Sequence, residues 1–264
     1  MQSVRPHSQQ AAAVWSAGGP DYDKISEHPC DAIEHLASRI LLKPGERFLD
    51  IATGTGWTAR RLAAHGADVV GIDVGASVIE VAKTFAPSID FRVGDAGAVE
   101  FAHESFDGIT STFGIMFAAR PTDAAGELTR VCKKGGRLGL LTWPPGGAVE
   151  GLFGIMRPYL PPPSSPAPPS PFAWGRPEGV RALLGNAFDL KFEIGTTILR
   201  VPSGQAAWDL FIAGFGPTKM VAATLEPGRR AEFTRDFIEY HERFRGELGI
   251  AMPREYLLSV GIKR

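Results

Sequence analysis

Between residues 47 and 143, short apolar runs alternate with stretches of helical periodicity. The runs fall at 48–51, 68–72, 89–93, 106–112 and 136–143, and amphipathic segments occupy 57–65, 75–85 and 121–132 between them. A strand covered on both faces reads as an unbroken apolar run, whereas a half-exposed strand alternates. Such strands separated by helices predict βαβ units and therefore an α/β fold: a Rossmann-like, mostly parallel sheet with helices on both faces.

The flanks read differently. Residues 8–16 and 30–42 have helical spacing, the first stopped by Gly18, Gly19 and Pro20, the second opened by Pro29 and stopped by Pro44 and Gly45. Beyond Trp143 the rhythm breaks. Residues 158–171 are so rich in proline that an extended, stiff connection is expected. A helix at 177–185, strands at 188–194 and 196–201, and a helical stretch at 205–247 broken at 214–217 and 227–228 follow, with a last strand at 255–262. The expected organisation is an N-terminal helical lid (1–45), a core (46–145), a proline-rich insertion (146–177), core again (178–202), a helical cap insertion (203–252) and a final core strand (253–264).

Charge narrows the partners. With 28 Lys plus Arg against 29 Asp plus Glu, the net charge is -1, which offers no general attraction to nucleic acid or anionic lipid. No run of about 18 apolar residues suggests a membrane span. Residues 1–10 are polar, unlike a signal peptide. Cys30 and Cys132 lack the spacing of a metal site or a redox pair. The expectation is a cytoplasmic protein with reduced thiols, without metal, nucleic acid or membrane, and with a second copy of itself as an admissible partner.

The segment Asp50-Ile51-Ala52-Thr53-Gly54-Thr55-Gly56 is where chemistry is expected. A strand ends there and a glycine loop turns into a helix, so the backbone can approach a ligand and free N–H groups face it. The loop lies at the carboxyl end of a parallel strand, where open α/β sheets bind ligands. Gly54-Thr55-Gly56-Trp57-Thr58-Ala59 also fits the dinucleotide pattern, and an acid after the second strand, Asp73, suits a ribose under either reading. Asp50 would repel a pyrophosphate but suits the ammonium of a methionine moiety, while Asp95 after the third strand can accept from an adenine amine. No Tyr-x-x-x-Lys pair is present to serve a nicotinamide enzyme as proton donor.

In these residues the chain resembles the class I S-adenosylmethionine-dependent methyltransferases, closely over 47–143 and more loosely elsewhere. The resemblance implies a seven-stranded sheet with an antiparallel last strand, S-adenosyl-L-methionine as cofactor and S-adenosyl-L-homocysteine as product. It places Asp50, Ala52, Gly54, Gly56, Asp73, Val74, Asp95, Ala96, Thr112 and Phe113 around the cofactor, with Trp15 and Tyr22 folded over it from the lid. The acid-Pro-Pro-aromatic motif of members that methylate bases or glutamine is missing after the fourth strand, where Phe113, Met116 and Phe117 stand instead. The implied acceptor is a small apolar or aromatic metabolite taking the methyl on O, N or C. Its candidate walls are Phe113, Met116, Phe117, Trp143, Trp174, Trp208, Phe211 and Phe215, although helical spacing allows Trp208, Phe211 and Phe215 to be a core stripe. His7, His28 and His241 are the candidates for a general base.

Overall fold

The computed structural model describes residues 4–161 and 169–264. The middle of the proline-rich stretch, 162–168, lies outside the described residues; its flanks are short 3-10 turns, Arg157–Tyr159 and Pro171–Gly175, rather than extended chain. The chain opens with helices α1 (Gln9–Ser16), α2 (Tyr22–Ser26) and α3 (Cys30–Ile40). Then come β1 (Arg47–Ile51), α4 (Trp57–Ala64), β2 (Asp68–Asp73), α5 (Ala76–Phe85), β3 (Asp90–Val93), β4 (Phe106–Thr112), α6 (Pro121–Val131) and β5 (Cys132–Thr142). The remainder comprises α7 (Ala148–Met156), α8 (Pro177–Leu184), β6 (Phe188–Val201), α9 (Gly204–Gly214), α10 (Gly216–Thr224), α11 (Pro227–Glu242), β7 (Arg245–Gly246) and β8 (Gly249–Lys263).

The sheet order is β3-β2-β1-β4-β5-β8-β6, and β7 pairs with β8 off that path. The first five strands are mutually parallel; β8 runs antiparallel to both β5 and β6. From β1 the chain moves outward through β2 and β3, then returns to β4 on the other side of β1. That reversal opens a crevice at the carboxyl ends of β1 and β4.

Residue chemistry explains the layers. Phe48, Leu49 and Ile51 of β1 are fully buried, as a strand sandwiched between helix layers must be. Ala32, Ile33, Leu36 and Ile40 place the buried stripe of α3 on one face at helical spacing. The expected strands at 188–194 and 196–201 form one continuous β6. Gly195 pairs with Tyr256 in the unbroken β6–β8 register, and the ring of Tyr256 lies where its side chain would be. β8 begins six residues before the expected strand. Pro253 lies in that early part, but β5 pairs only with Leu257 through Ile262, so at Pro253 one side of β8 has no ladder to disrupt.

Two apolar cores result. The larger lies around the sheet and includes Phe48, Phe106, Leu138 and Trp174. The smaller unites Leu152, Met156 and Tyr159 with Trp208, Phe211, Phe233, Phe237 and the outer part of the β6–β8 pair, at Leu199, Ile250 and Met252. No described helix is long and apolar enough to cross a membrane.

Candidate active site

The loop after β1 turns through left-handed backbone at two glycines and, at a cost, at one alanine. Ala52, Gly54 and Gly56 have φ of 54°, 56° and 87°. A Cβ on Gly56 would meet the Phe91 ring at 2.7 Å, so Gly56 serves the turn and its packing and lines no cavity. Gly54 faces open space bounded by Tyr22.

Asp50 lies beneath this loop. It is fully buried and accepts from the hydroxyls of Thr53 at 2.6 Å and Thr110 at 2.8 Å. Burial pushes its carboxyl up to about 6, against those hydrogen bonds. Asp50 was expected to meet a ligand directly or through water; it lines neither cavity, its Oδ2 bracing the loop at Thr53 and its Oδ1 tying β1 to β4 at Thr110. Asp73, at the end of β2, does reach the crevice. Its Oδ2 accepts from Gly54 N at 2.9 Å and its Oδ1 from Gly75 N at 2.8 Å, while burial raises its pKa. Asp95 accepts from Gly97 N at 2.9 Å and from Arg5 N at 3.2 Å.

Two adjacent cavities occupy the crevice. The first, of about 730 Å3, is lined by Ala52, Gly54, Asp73, Val74, Asp95, Ala96, Thr112 and Phe113, and is closed by Ser8, Ala11, Trp15 and Tyr22. The structure thus gathers ten of the twelve residues expected around one ligand, leaving out Asp50 and Gly56. The second, of about 850 Å3, shares Trp15, Tyr22, Ala52, Gly54, Thr112, Phe113 and Phe117 with the first. Most of its further walls are apolar or aromatic, among them Ile25, Ile33, Trp143, Val149, Leu152, Phe153, Phe211 and Phe215, with Ser26, Thr53, Thr58 and Arg254 between them. Phe113 stacks on Trp143 with centroids 3.7 Å apart, and Trp15 packs against Phe117 at 5.0 Å.

Three expected wall residues lie elsewhere. Met116 and Trp174 are each 1% exposed inside the larger core. Trp208 packs edge-on against Phe233 and Phe237, both centroids 5.4 Å away, inside the smaller one. All three were large apolar side chains that a core claims first. The candidate bases are also absent from the cavities: among the described residues no histidine lines either. His241 is buried, its Nδ1 hydrogen-bonded to Phe237 O at 2.8 Å and its ring stacked on Phe237, and desolvation lowers its pKa. The pKa of His28 is lowered mainly by burial and secondarily by Arg254.

Arg254 is the residue the sequence reasoning missed. It is 6% exposed and lines the second cavity. A signal was present: Ile250, Met252, Arg254 and Tyr256 alternate on the buried face of β8, so a charge falls in register with apolar neighbours. The expected strand began one residue too late to include it.

The methyltransferase-domain family matches residues 49–140. An uncharacterized protein of Mycobacterium tuberculosis is 33% identical over 267 residues, which cover 96% of this chain and 93% of that one. The demethylmenaquinone methyltransferase of Renibacterium salmoninarum is 44% identical over 141 residues, covering 52% of this chain and 60% of that one. The solved structure of the YcgJ protein of Bacillus subtilis shares the fold with a TM-score of 0.61 at 18% identity, covering 89% of this chain and 98% of that chain.

Proposed function

The chain belongs to the class I S-adenosylmethionine-dependent methyltransferases, and on that premise we propose that its first cavity holds S-adenosyl-L-methionine and its second a small apolar or aromatic methyl acceptor. The observation that carries this reading is the wall shared by the two cavities at Ala52, Gly54, Thr112, Phe113 and Phe117, across which two ligands would meet. The donor set suits the cofactor. Each Asp73 oxygen accepts one backbone N–H and retains a lone pair for a ribose hydroxyl. Asp95 similarly has capacity for an adenine amine, and Gly54 leaves room beside Tyr22 where a side chain would intrude.

When bound, the cofactor supplies a methyl group on a sulfonium, already activated for in-line displacement by an O, N or C nucleophile. The chain's part is placement and exclusion of water. Trp15 and Tyr22 cover both cavities, and burial raises the Tyr22 phenol so far that it stays protonated. Among the described residues no histidine, lysine or carboxylate lines the second cavity. The reading therefore calls for an acceptor that is a nucleophile without a protein base there. The apolar lining and the likeness to a demethylmenaquinone methyltransferase both support an apolar, ring-bearing acceptor.

Calorimetry tests the first half: S-adenosylhomocysteine should bind at micromolar or tighter affinity, and nicotinamide dinucleotides should not bind measurably. A tighter dinucleotide would overturn the cofactor assignment. Incubation with labelled cofactor and a panel of quinols, phenols, aromatic acids and amines tests the second half. Transfer to protein or RNA, with none to any of the panel, would refute a small-molecule acceptor.

A further inference from the structure

The second cavity has one chemical anomaly. Its lining is apolar and aromatic, interrupted by a few hydroxyls and one buried guanidinium, the only charged side chain among its described lining residues. Arg254 Nε and Nη2 are buried and have no hydrogen-bond partner. Burying a charge without a partner is costly, and natural sites that tolerate it hold the charge for a ligand. The charges around it do not meet its need: Asp31, at the start of α3, acts on it only through space, and His28 is a potential like charge whose ionisation Arg254 itself opposes. Burial pushes the guanidinium down to about 10, so it remains charged at neutral pH.

We propose that the methyl acceptor carries a carboxylate, and that Arg254 binds it at the end of the acceptor remote from the methyl donor. Nε and Nη2 form one edge of the guanidinium fork. Their parallel N–H groups match the two oxygens of a carboxylate, and because both nitrogens are covered in this structure the side chain must shift for the carboxylate to reach them. The position is equally specific. The guanidinium lies over the Trp143 ring, 5.6 Å from its centroid, and Trp143 in turn stacks on Phe113, which belongs to the wall shared with the first cavity. Arg254 is thus one aromatic layer behind the reacting wall. It reads the tail of an acceptor whose apolar body lies along Ile33, Leu152, Phe153 and Phe211 and whose opposite end reaches Phe113. A carboxylate held there fixes the depth to which the acceptor enters. Arg254 is accordingly a specificity-determining residue that does not touch the reacting atoms.

This inference rests on the second cavity being the acceptor site, so its test separates the two. The full chain is saturated with S-adenosylhomocysteine, and benzoate and 2-naphthoate are titrated, each against its neutral amide and 2-naphthyl phosphate against 2-naphthoate. At least one carboxylate should bind tenfold or more tighter than its amide. Arg254→Gln should abolish that preference and Arg254→Lys retain part of it, with the dissociation constant for S-adenosylhomocysteine unchanged within twofold. Equal affinity for acid and amide, no binding of either acid, or a preference that survives Arg254→Gln overturns the proposal. A tenfold preference for the phosphate ester overturns the carboxylate assignment. The wild-type comparison decides alone if the substitutions prevent folding. Failure of S-adenosylhomocysteine to bind at all would instead strike the cofactor reading.

Discussion

Asp50 and Asp73 lie at the carboxyl ends of adjacent strands, yet only Asp73 lines a cavity. Asp73 offers lone pairs to the first cavity, so Asp73→Ala removes charged acceptors worth about 1.5–3 kcal/mol per hydrogen bond. The affinity for S-adenosylhomocysteine should fall at least about tenfold in calorimetry; an unchanged constant in a folded variant would leave Asp73 only its bonds to Gly54 and Gly75. Asp50 makes a different prediction. Its folded pKa, about 6, lies above the ordinary value of 3.8. Between those values the folded state holds more protons than the unfolded one, so stability drains away as pH rises from about 4 to about 6, by on the order of 3 kcal/mol. Thermal melts across this range should show wild type losing ground relative to Asp50→Asn, whose amide does not titrate. Parallel melting curves for the two would refute the shifted pKa. At this scale Gly54, Asp73 and Asp95 could be located from the sequence because a strand end and a turn constrain them locally. Arg254 could not, because its meaning depends on Trp143 and Phe113, more than a hundred residues away in the chain.

The elements that close the crevice are bound to more than one neighbour. Trp57 Nε1 and the Arg60 guanidinium both reach Asp23 in α2, at 2.8 and 3.3 Å, and Ser77 Oγ donates to Ser16 O at the end of α1. On the other side the backbones meet at glycines: a Cβ on Gly216 would stand 1.9 Å from Val14 O, and one on Gly18 2.5 Å from Gly214 O. A covering segment must open for exchange, so residues 8–28 should exchange amide hydrogens faster in the free protein than with S-adenosylhomocysteine bound. Equally slow exchange in both states would make the segment fixed and place ligand entry elsewhere. Gly216→Ala wedges α10 from α1 and should weaken S-adenosylhomocysteine binding several-fold; unchanged affinity would uncouple the two helices from the site. The alternation of buried strands and helices made the elements from β1 to β4 legible within two residues at each end. The helix α7 was not expected, since its nine residues, with three glycines or alanines, show little apolar periodicity before the cap core gathers Leu152 and Met156. α2 went unseen as well, being only five residues long.

The whole molecule is organised around two cores joined through the antiparallel β6–β8 pair, whose inner part packs on the larger core and whose outer part supports the cap. Damage should remain local. Phe233 is fully buried in the smaller core, and Phe233→Ala should cost about 3–5 kcal/mol. The expected result is a cap that melts before the sheet, seen as two thermal transitions, with acceptor binding weakened more than cofactor binding. A single lowered transition would show that the two cores unfold as one. The fold class was legible because strand–helix alternation is a short-range pattern. The cap was not, because its parts come together only after the sheet has brought them near one another.

That scattered origin bears on how such a protein can change over generations. The roof of the second cavity comes from residues 15–33, 143–153, 211–215 and 254, four stretches with sheet strands between them. No single crossover between two genes can exchange the whole roof while leaving the floor intact. A new substrate preference must therefore accumulate through separate substitutions at distant codons, each screened while the loop and carboxylates beneath stay as they are.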